Sequence, residues 1–211
     1  MRQVKREGKR AEQARKTRQR MLHAANTLFL QHGYGATTLQ DIADQAGVAV
    51  QTIYFTFGNK RSLLKELVDV TIAGDDEPVA TMDRPWFRDA LAAETAEEHL
   101  RAHIAGTCTV LERFAPISAI IQAATAADPD VAALWPDEED LRYTVQSTSA
   151  RSLMAKPGAR QDVSVEYAAD LLYGLLSPEL YLLFVRERRW PYGRWEQWIL
   201  DTLLTQLCTG R

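Results

Sequence analysis

Cysteine is scarce in this chain: two in 211 residues, Cys108 and Cys208. That number and their wide separation argue against a disulfide scaffold or a thiolate metal site, and point to a reducing compartment. The sequence holds no CxxC pair, no GxSxG elbow and no glycine-rich phosphate loop, so familiar signatures of thiol redox, acyl-transfer and nucleotide chemistry are missing. Histidine is sparse too. Of the four, His99 and His103 lie one helical turn apart, a spacing that can hold a metal, but no glutamate sits between them and no third ligand is evident. No clean apolar run spans a bilayer. The longest, Ala168 to Val185, contains Asp170, Pro178 and Glu179, and each acid at a membrane centre costs about 2.5–3.5 kcal/mol. The basic start has no apolar stretch behind it and is no secretory signal. No alternating strand pattern and no repeat is present. These absences leave an all-α fold in the cytoplasm, with no membrane, no cofactor, no metal and no enzymatic activity expected.

What is present is an asymmetry of charge. Residues 1–65 hold 12 Lys/Arg against 4 Asp/Glu; residues 66–211 hold 13 against 24. A basic end on an acidic remainder suits a protein that offers one end to a polyanion, although a solvated tail would look the same. Residues 1–16 read as a basic flexible arm that either tracks DNA or stays loose. Its cations include Lys5, Arg6, Lys9, Arg10, Arg15 and Lys16, with Arg18 just beyond. A first domain follows over 17–74. Met21, Leu22, Ala25, Leu28 and Phe29 recur at spacings of three and four, and Gly33 offers a helix stop. Thr37 and Thr38 offer an N-cap, and Asn59 caps a connector helix carrying Leu63, Leu64 and Leu67. The Gly/Asp/Pro-rich stretch 74–85 marks a boundary. Residues 75–211 read as helices near 86–93, 96–113, 115–127, 137–155, 163–188 and 191–208, punctuated by prolines.

The strongest signal runs from Thr37 to Leu64, TTLQDIADQAGVAVQTIYFTFGNKRSLL. Two short helices around Ala46-Gly47-Val48 have helix-turn-helix geometry, because Gly47 permits a left-handed turn. The second helix would enter a major groove with Ala49, Val50, Gln51, Thr52 and Phe55 on its exposed face. Gln51 can pair bidentately with adenine, Thr52 can serve base or phosphate, and Val50 can touch a thymine methyl.

This run resembles the TetR family of repressors. The likeness rests on Gly47-Val48, Thr52-Ile53-Tyr54, Phe57, Lys60 and Leu63-Leu64, with Ala24-Ala25, Leu28-Phe29, Gly33-Tyr34 and Thr37-Thr38 in the preceding helix. It covers residues 17–72. The resemblance implies that Thr38, Tyr54 and Lys60 contact phosphates. It also implies a homodimer on a palindromic operator in double-stranded DNA, released by a small-molecule effector. Two positions depart from the pattern. Ala49 stands where many members have Ser, and Thr56 where His or Tyr is common.

The acidic part fits that picture loosely. Residues 163–188 are apolar nearly all round, which requires burial on two sides. Leu172, Leu176, Leu180 and Leu183, with Trp195, Trp198, Ile199, Thr202 and Leu203 of the last helix, form a candidate dimer interface of four-helix-bundle type. Trp86, Phe87, His103, Thr107, Leu111, Phe114, Ile121, Trp135, Tyr143, Gln146 and Tyr173 form a candidate pocket for a largely apolar effector, or else are ordinary core. Two other classes stay open: a ligand-independent architectural DNA binder, and a metal- or redox-dependent enzyme or sensor.

Overall fold

The computed structural model describes residues 2–135 and 140–209, with side chains from residue 9 onward. Among them the regular structure is helical, with a single isolated bridge between Ala159 and Cys208. Contacts divide the chain into two compact units: Met1–Val70 with Ile117–Pro136, and Thr71–Pro116 with Asp137–Arg211. This division differs from the boundary that composition suggests at 74–85. The long sixth helix continues past its own unit, so its last third groups with the N-terminal helices.

In the first unit α1 (Arg2–Ala36), α2 (Leu39–Ala46), α3 (Val50–Phe57) and the start of α4 (Lys60–Ala73) surround one core. Met21, Leu22, Ala25 and Phe29 from α1 are buried with Ile42, Ala43, Ile53, Phe57, Leu63 and Leu64. Gly33, at φ 81 and ψ 162, breaks the helical path of α1 at the expected stop. The basic residues expected as an arm over 1–16 are helical from Arg2 onward. Residues 9–20 contain no Gly or Pro and are rich in Arg, Gln, Ala and Lys, all good helix formers. Glu12 and Lys16 add an (i, i+4) ion pair at 2.7 Å. The side chains of Lys5 and Arg6 lie outside the described residues. Arg18 pairs with Glu66 and sits 5.9 Å from the Phe57 ring centroid, so it ties α1 to α4. Arg61 pairs with Asp130 of α7 (Pro129–Ala132) in the same unit.

The second unit holds α5 (Pro85–Ala92), most of α6 (Ala96–Ala127), α8 (Leu141–Met154), α9 (Val165–Leu175), α10 (Pro178–Tyr181) and α11 (Tyr192–Leu207). Two expected helices near 96–113 and 115–127 are one, with Pro116 inside it. By length and composition α6 could cross a membrane, but its Leu100, Ile104, Cys108 and Leu111 are buried in the chain's own core. The expected single helix over 163–188 is broken. Pro178 has no N–H to continue α9, and Ser177 starts a new helix by accepting a bond from the Leu180 N–H at 3.2 Å. The two pieces meet at 42°, and the second ends in a π-helical stretch, Leu182–Glu187. The polar boundary segment is ordered by Arg84, whose guanidinium is buried against the Asp75 carboxylate at 3.0 Å. Arg113 donates to the carbonyls of Thr71 and Ile72 at 3.1 and 3.2 Å, which satisfies the end of α4.

Candidate nucleic-acid interface

α2 begins with a full capping box. The Asp41 N–H donates to Thr38 Oγ1 at 3.1 Å, and the Thr38 N–H donates to Asp41 Oδ2 at 2.8 Å. The Thr38 hydroxyl, donating to Asp41 Oδ2 at 2.7 Å, and then the Thr38 N–H hold the Asp41 carboxyl below its ordinary value. α2 ends at Gly47, which is left-handed at φ 63 and ψ 47, while the Val48 N–H reaches back to the Ala43 carbonyl at 3.0 Å. A β-carbon at that φ would be strained, so the turn between α2 and α3 needs this glycine. Ile42, Ala43 and Ile53 are fully buried, fixing the angle between the two helices.

α3 is short and two-faced. Ile53 and Phe57 enter the core; Gln51 is exposed, Tyr54 is 54% exposed and Phe55 is 93% exposed. Ala49, at the N-cap, makes no side-chain capping bond. Val50 and Thr52 are half-buried beside it. Thr56 Oγ1 donates to the Thr52 carbonyl at 2.8 Å, so that hydroxyl's proton is already used.

Lys60 is more than a surface cation. Its ammonium donates to the carbonyls of Tyr34 and Thr37, at 2.6 and 2.8 Å, and lies 4.1 Å from the Tyr34 ring centroid. Partial burial lowers its pKa. Lys60 therefore fastens the start of α4 to the loop that carries Thr38. Sequence reasoning missed this positioning role because the partners are backbone oxygens 26 and 23 residues away. Lys60→Ala removes both bonds and is expected to lower stability by about 1–3 kcal/mol, as for hydrogen bonds to a charged group. A denaturant titration checks it; an unchanged midpoint would leave only a surface role.

The candidate effector residues of the second unit come together in part. The His103 ring lies 6.0 Å from Trp86 and 5.9 Å from Phe87, and its Nε2 donates to Gln146 Oε1 at 2.8 Å. Thr107 and Leu111 are buried further along α6, and Phe114 is half-buried. Tyr143 and Tyr173 form a separate edge-on pair, 5.5 Å apart, with the Tyr173 hydroxyl on Asp140 at 2.5 Å. Ile121 and Trp135 belong to the first unit. His99, seen in the sequence only as half of a metal spacing, is fully buried and 2.9 Å from Ser149 Oγ. Burial lowers both imidazoles, His99 to about 3 and His103 to about 4, so both are neutral. Among the described residues no cluster of three metal-binding side chains occurs.

The candidate dimer residues divide sharply. Leu172, Leu176, Trp195, Ile199 and Leu203 are buried in the second unit's own core. These five are a correction: they hold the single chain together. A helix apolar on two sides does not reveal from sequence which side its own chain covers. Leu180, Trp198 and Thr202 are half-buried, and Leu183 is 43% exposed.

Two short helices joined at a left-handed glycine, with the second exposing polar and aromatic side chains, define a helix-turn-helix DNA-binding fold. The family model "Bacterial regulatory proteins, tetR family" matches residues 21–67, so this segment is similar to the DNA-binding part of that family. It is 36% identical over 90 residues to the "Probable acrEF/envCD operon repressor" of Escherichia coli (strain K12), covering 43% of this chain and 33% of the relative. It is 31% identical over 129 residues to the HTH-type transcriptional repressor ComR of the same strain, covering 61% and 56%. The aligned segments thus span a third to just over half of these relatives. Among solved structures, NalD, the secondary repressor of the MexAB-OprM multidrug efflux pump in Pseudomonas aeruginosa, superposes with a TM-score of 0.61 at 19% identity, covering 95% of this chain and 100% of that one. That likeness concerns the fold.

Proposed function

We propose that this chain is a cytoplasmic transcriptional repressor that binds a palindromic operator as a homodimer and is released by a small-molecule effector. Phe55 carries the reading. A phenyl ring 93% exposed on a short helix loses hydrophobic stabilisation unless a partner covers it, and thymine methyl groups in a major groove can do so. Gln51 and Thr52 read base edges beside it, with Ala49 and Val50 at the helix start. Thr38, Tyr54 and Lys60 serve the backbone, Thr38 and Lys60 from helix starts where N–H groups favour anions. Two copies place their recognition helices about 34–36 Å apart, which sets the half-site spacing. The dimer face is the surface that the chain leaves uncovered around Leu180, Leu183, Trp198 and Thr202.

The effector site centres on His103, Trp86 and Phe87. Support comes from three buried polar atoms without a hydrogen-bond partner among the described residues: Nδ1 of His99, Nδ1 of His103 and Oγ1 of Thr107. They stand at (i, i+4, i+8) on one stripe of α6. A ligand offering polar groups there, with apolar surface toward the aromatic rings, matches them. Release follows if the effector prefers the form that does not fit DNA; about 5.5 kcal/mol of preference reverses a near-complete occupancy.

The test is fluorescence anisotropy on a duplex carrying the inverted repeat upstream of the gene, against scrambled DNA. Phe55→Ala is expected to weaken operator binding about tenfold, the scale of one lost base contact, and to leave the melting temperature in place. Equal affinity of the wild-type protein for operator and scrambled duplex would overturn the reading.

A further inference from the structure

The N-terminal half of α1 extends well beyond the buried core of the first unit. Residues 9–16 are exposed all round, and burial begins only at Thr17. An isolated helix this short is marginal in water, so an unpacked extension gains from a partner. Its charge states what kind: residues 9–20 contain six Lys/Arg and one acid, Glu12.

The cations are also arranged. Lys9, Lys16 and Arg20 recur at steps of seven and four, and His23 stands three residues further on, which places all four side chains on one face of the helix. Buried Met21, Leu22, Ala25 and Phe29 occupy the other side. From Lys9 to His23 the stripe spans about 21 Å at 1.5 Å per residue, roughly the axial rise of six base pairs at 3.4 Å each. At its inner end Lys16, Gln19, Arg20 and His23 line a surface groove of ≈ 600 Å³, closed by Gln45 and Ala46 of α2. Ala46 immediately precedes Gly47, the turn into α3. The basic face therefore runs continuously to the edge of the helix-turn-helix.

We infer that this face of α1 is a second DNA-contacting element, laid along the phosphate backbone of the duplex that α3 reads. It rests on the DNA-binding reading above. A rigid helix presents its cations at fixed positions, so only those on the stripe touch phosphate. Arg10 and Arg15, exposed on other faces of the same helix, do not. Lys16 is shared with Glu12, at 2.7 Å, which makes Lys9 and Arg20 the two cleanest contacts. Phosphate contact carries no sequence information, so the stripe adds affinity and salt dependence and leaves base preference alone.

The experiment compares two double variants of the full chain with equal net charge, Lys9→Gln/Arg20→Gln and Arg10→Gln/Arg15→Gln, by titrating operator DNA at several salt concentrations. Each lost phosphate contact reduces the slope of log K against log salt by about 0.9. The stripe variant is expected to lose about 1.8 from that slope in magnitude, with the operator-to-scrambled ratio unchanged, while the control keeps most of the wild-type slope. Equal losses in both variants would show that only overall charge matters and would overturn the stripe. So would no loss in either. If wild-type protein binds no duplex, the reading on which the stripe rests falls, and the stripe falls with it.

Discussion

Trp195→Ala lowers the unfolding free energy by about 3–5 kcal/mol, the usual cost of emptying a fully buried tryptophan site, and does so whether the protein is dilute or concentrated. The side chain is completely buried and meets Tyr181 edge-on at 5.1 Å between ring centroids. It packs in one core with Leu172, Leu176, Ile199 and Leu203. Its indole N–H has no hydrogen-bond partner among the described residues. The loss is thus of packing rather than of a polar bond, and Trp195→Phe is expected to cost markedly less. Leu183→Arg provides the contrast. That side chain is 43% exposed, so the substitution leaves the single chain folded and places an unpaired charge in the proposed dimer face, where an unpaired buried charge is costly. Sedimentation should then report monomer with unchanged helix content. If Trp195→Ala instead dissociates a dimer while the chain keeps its full stability, the assignment of the two faces is reversed.

The helix-turn-helix was legible residue by residue because its determinants are local. A left-handed turn needs Gly47, a helix start needs Thr38, and a two-faced short helix needs Ile53 and Phe57 on one side; all lie within a few positions of the bonds they make. Gly33 and Asn59 could be read for the same reason: the Ser62 N–H donates to Asn59 Oδ1 at 2.9 Å, three residues away. What was misread depends on distance. The Arg18–Glu66 and Lys60–Tyr34 contacts join residues 48 and 26 apart, so the part that these two cations play in holding the domain together left no local mark. The helix over the basic arm left little mark in the charge pattern, because its support is the helix propensity of residues 9–20 and not an apolar stripe. In the second unit nearly every position is apolar or helical, and periodicity alone cannot rank one face over another. That is why Trp195 and Leu203 were placed at a partner's surface, and why the broken α9–α10 segment read as one helix until Pro178 was seen to restart it. Among the pocket candidates, the pairing of His103 with Gln146, 43 residues away, left no local mark.

Acidification from pH 7 to pH 5 is expected to lower stability by roughly 4 kcal/mol, about 2 for each of His99 and His103. Both rings are fully buried, and burial lowers their folded values to about 3 and about 4 from an ordinary 6.5. The neighbours deepen the effect at His99, where the His103 ring and the Lys156 ammonium both oppose a positive charge. At His103 the bond to Gln146 offsets part of it. Below pH 6.5 the unfolded chain therefore takes up protons that the native chain refuses, and stability rises with pH across that window. Stability is intact above about pH 7, falls as the pH drops through 6.5, and stops falling from this source below the folded values. Carboxylates held low, such as Asp41 and Asp75, act mainly below pH 4, near their ordinary value, while Asp69, which burial holds above its ordinary value, acts in the opposite direction. For a chain of this size the loss corresponds to a melting temperature about 8–16 °C lower. Melts at fixed protein concentration check it, alongside His99→Asn/His103→Gln, which keeps polar groups facing Ser149 and Gln146 but cannot titrate. The double variant should melt at nearly the same temperature at both pH values. A wild-type melting temperature indifferent to that change, or a drop of equal size in the double variant, would mean that the two rings are protonated or solvated in the folded protein.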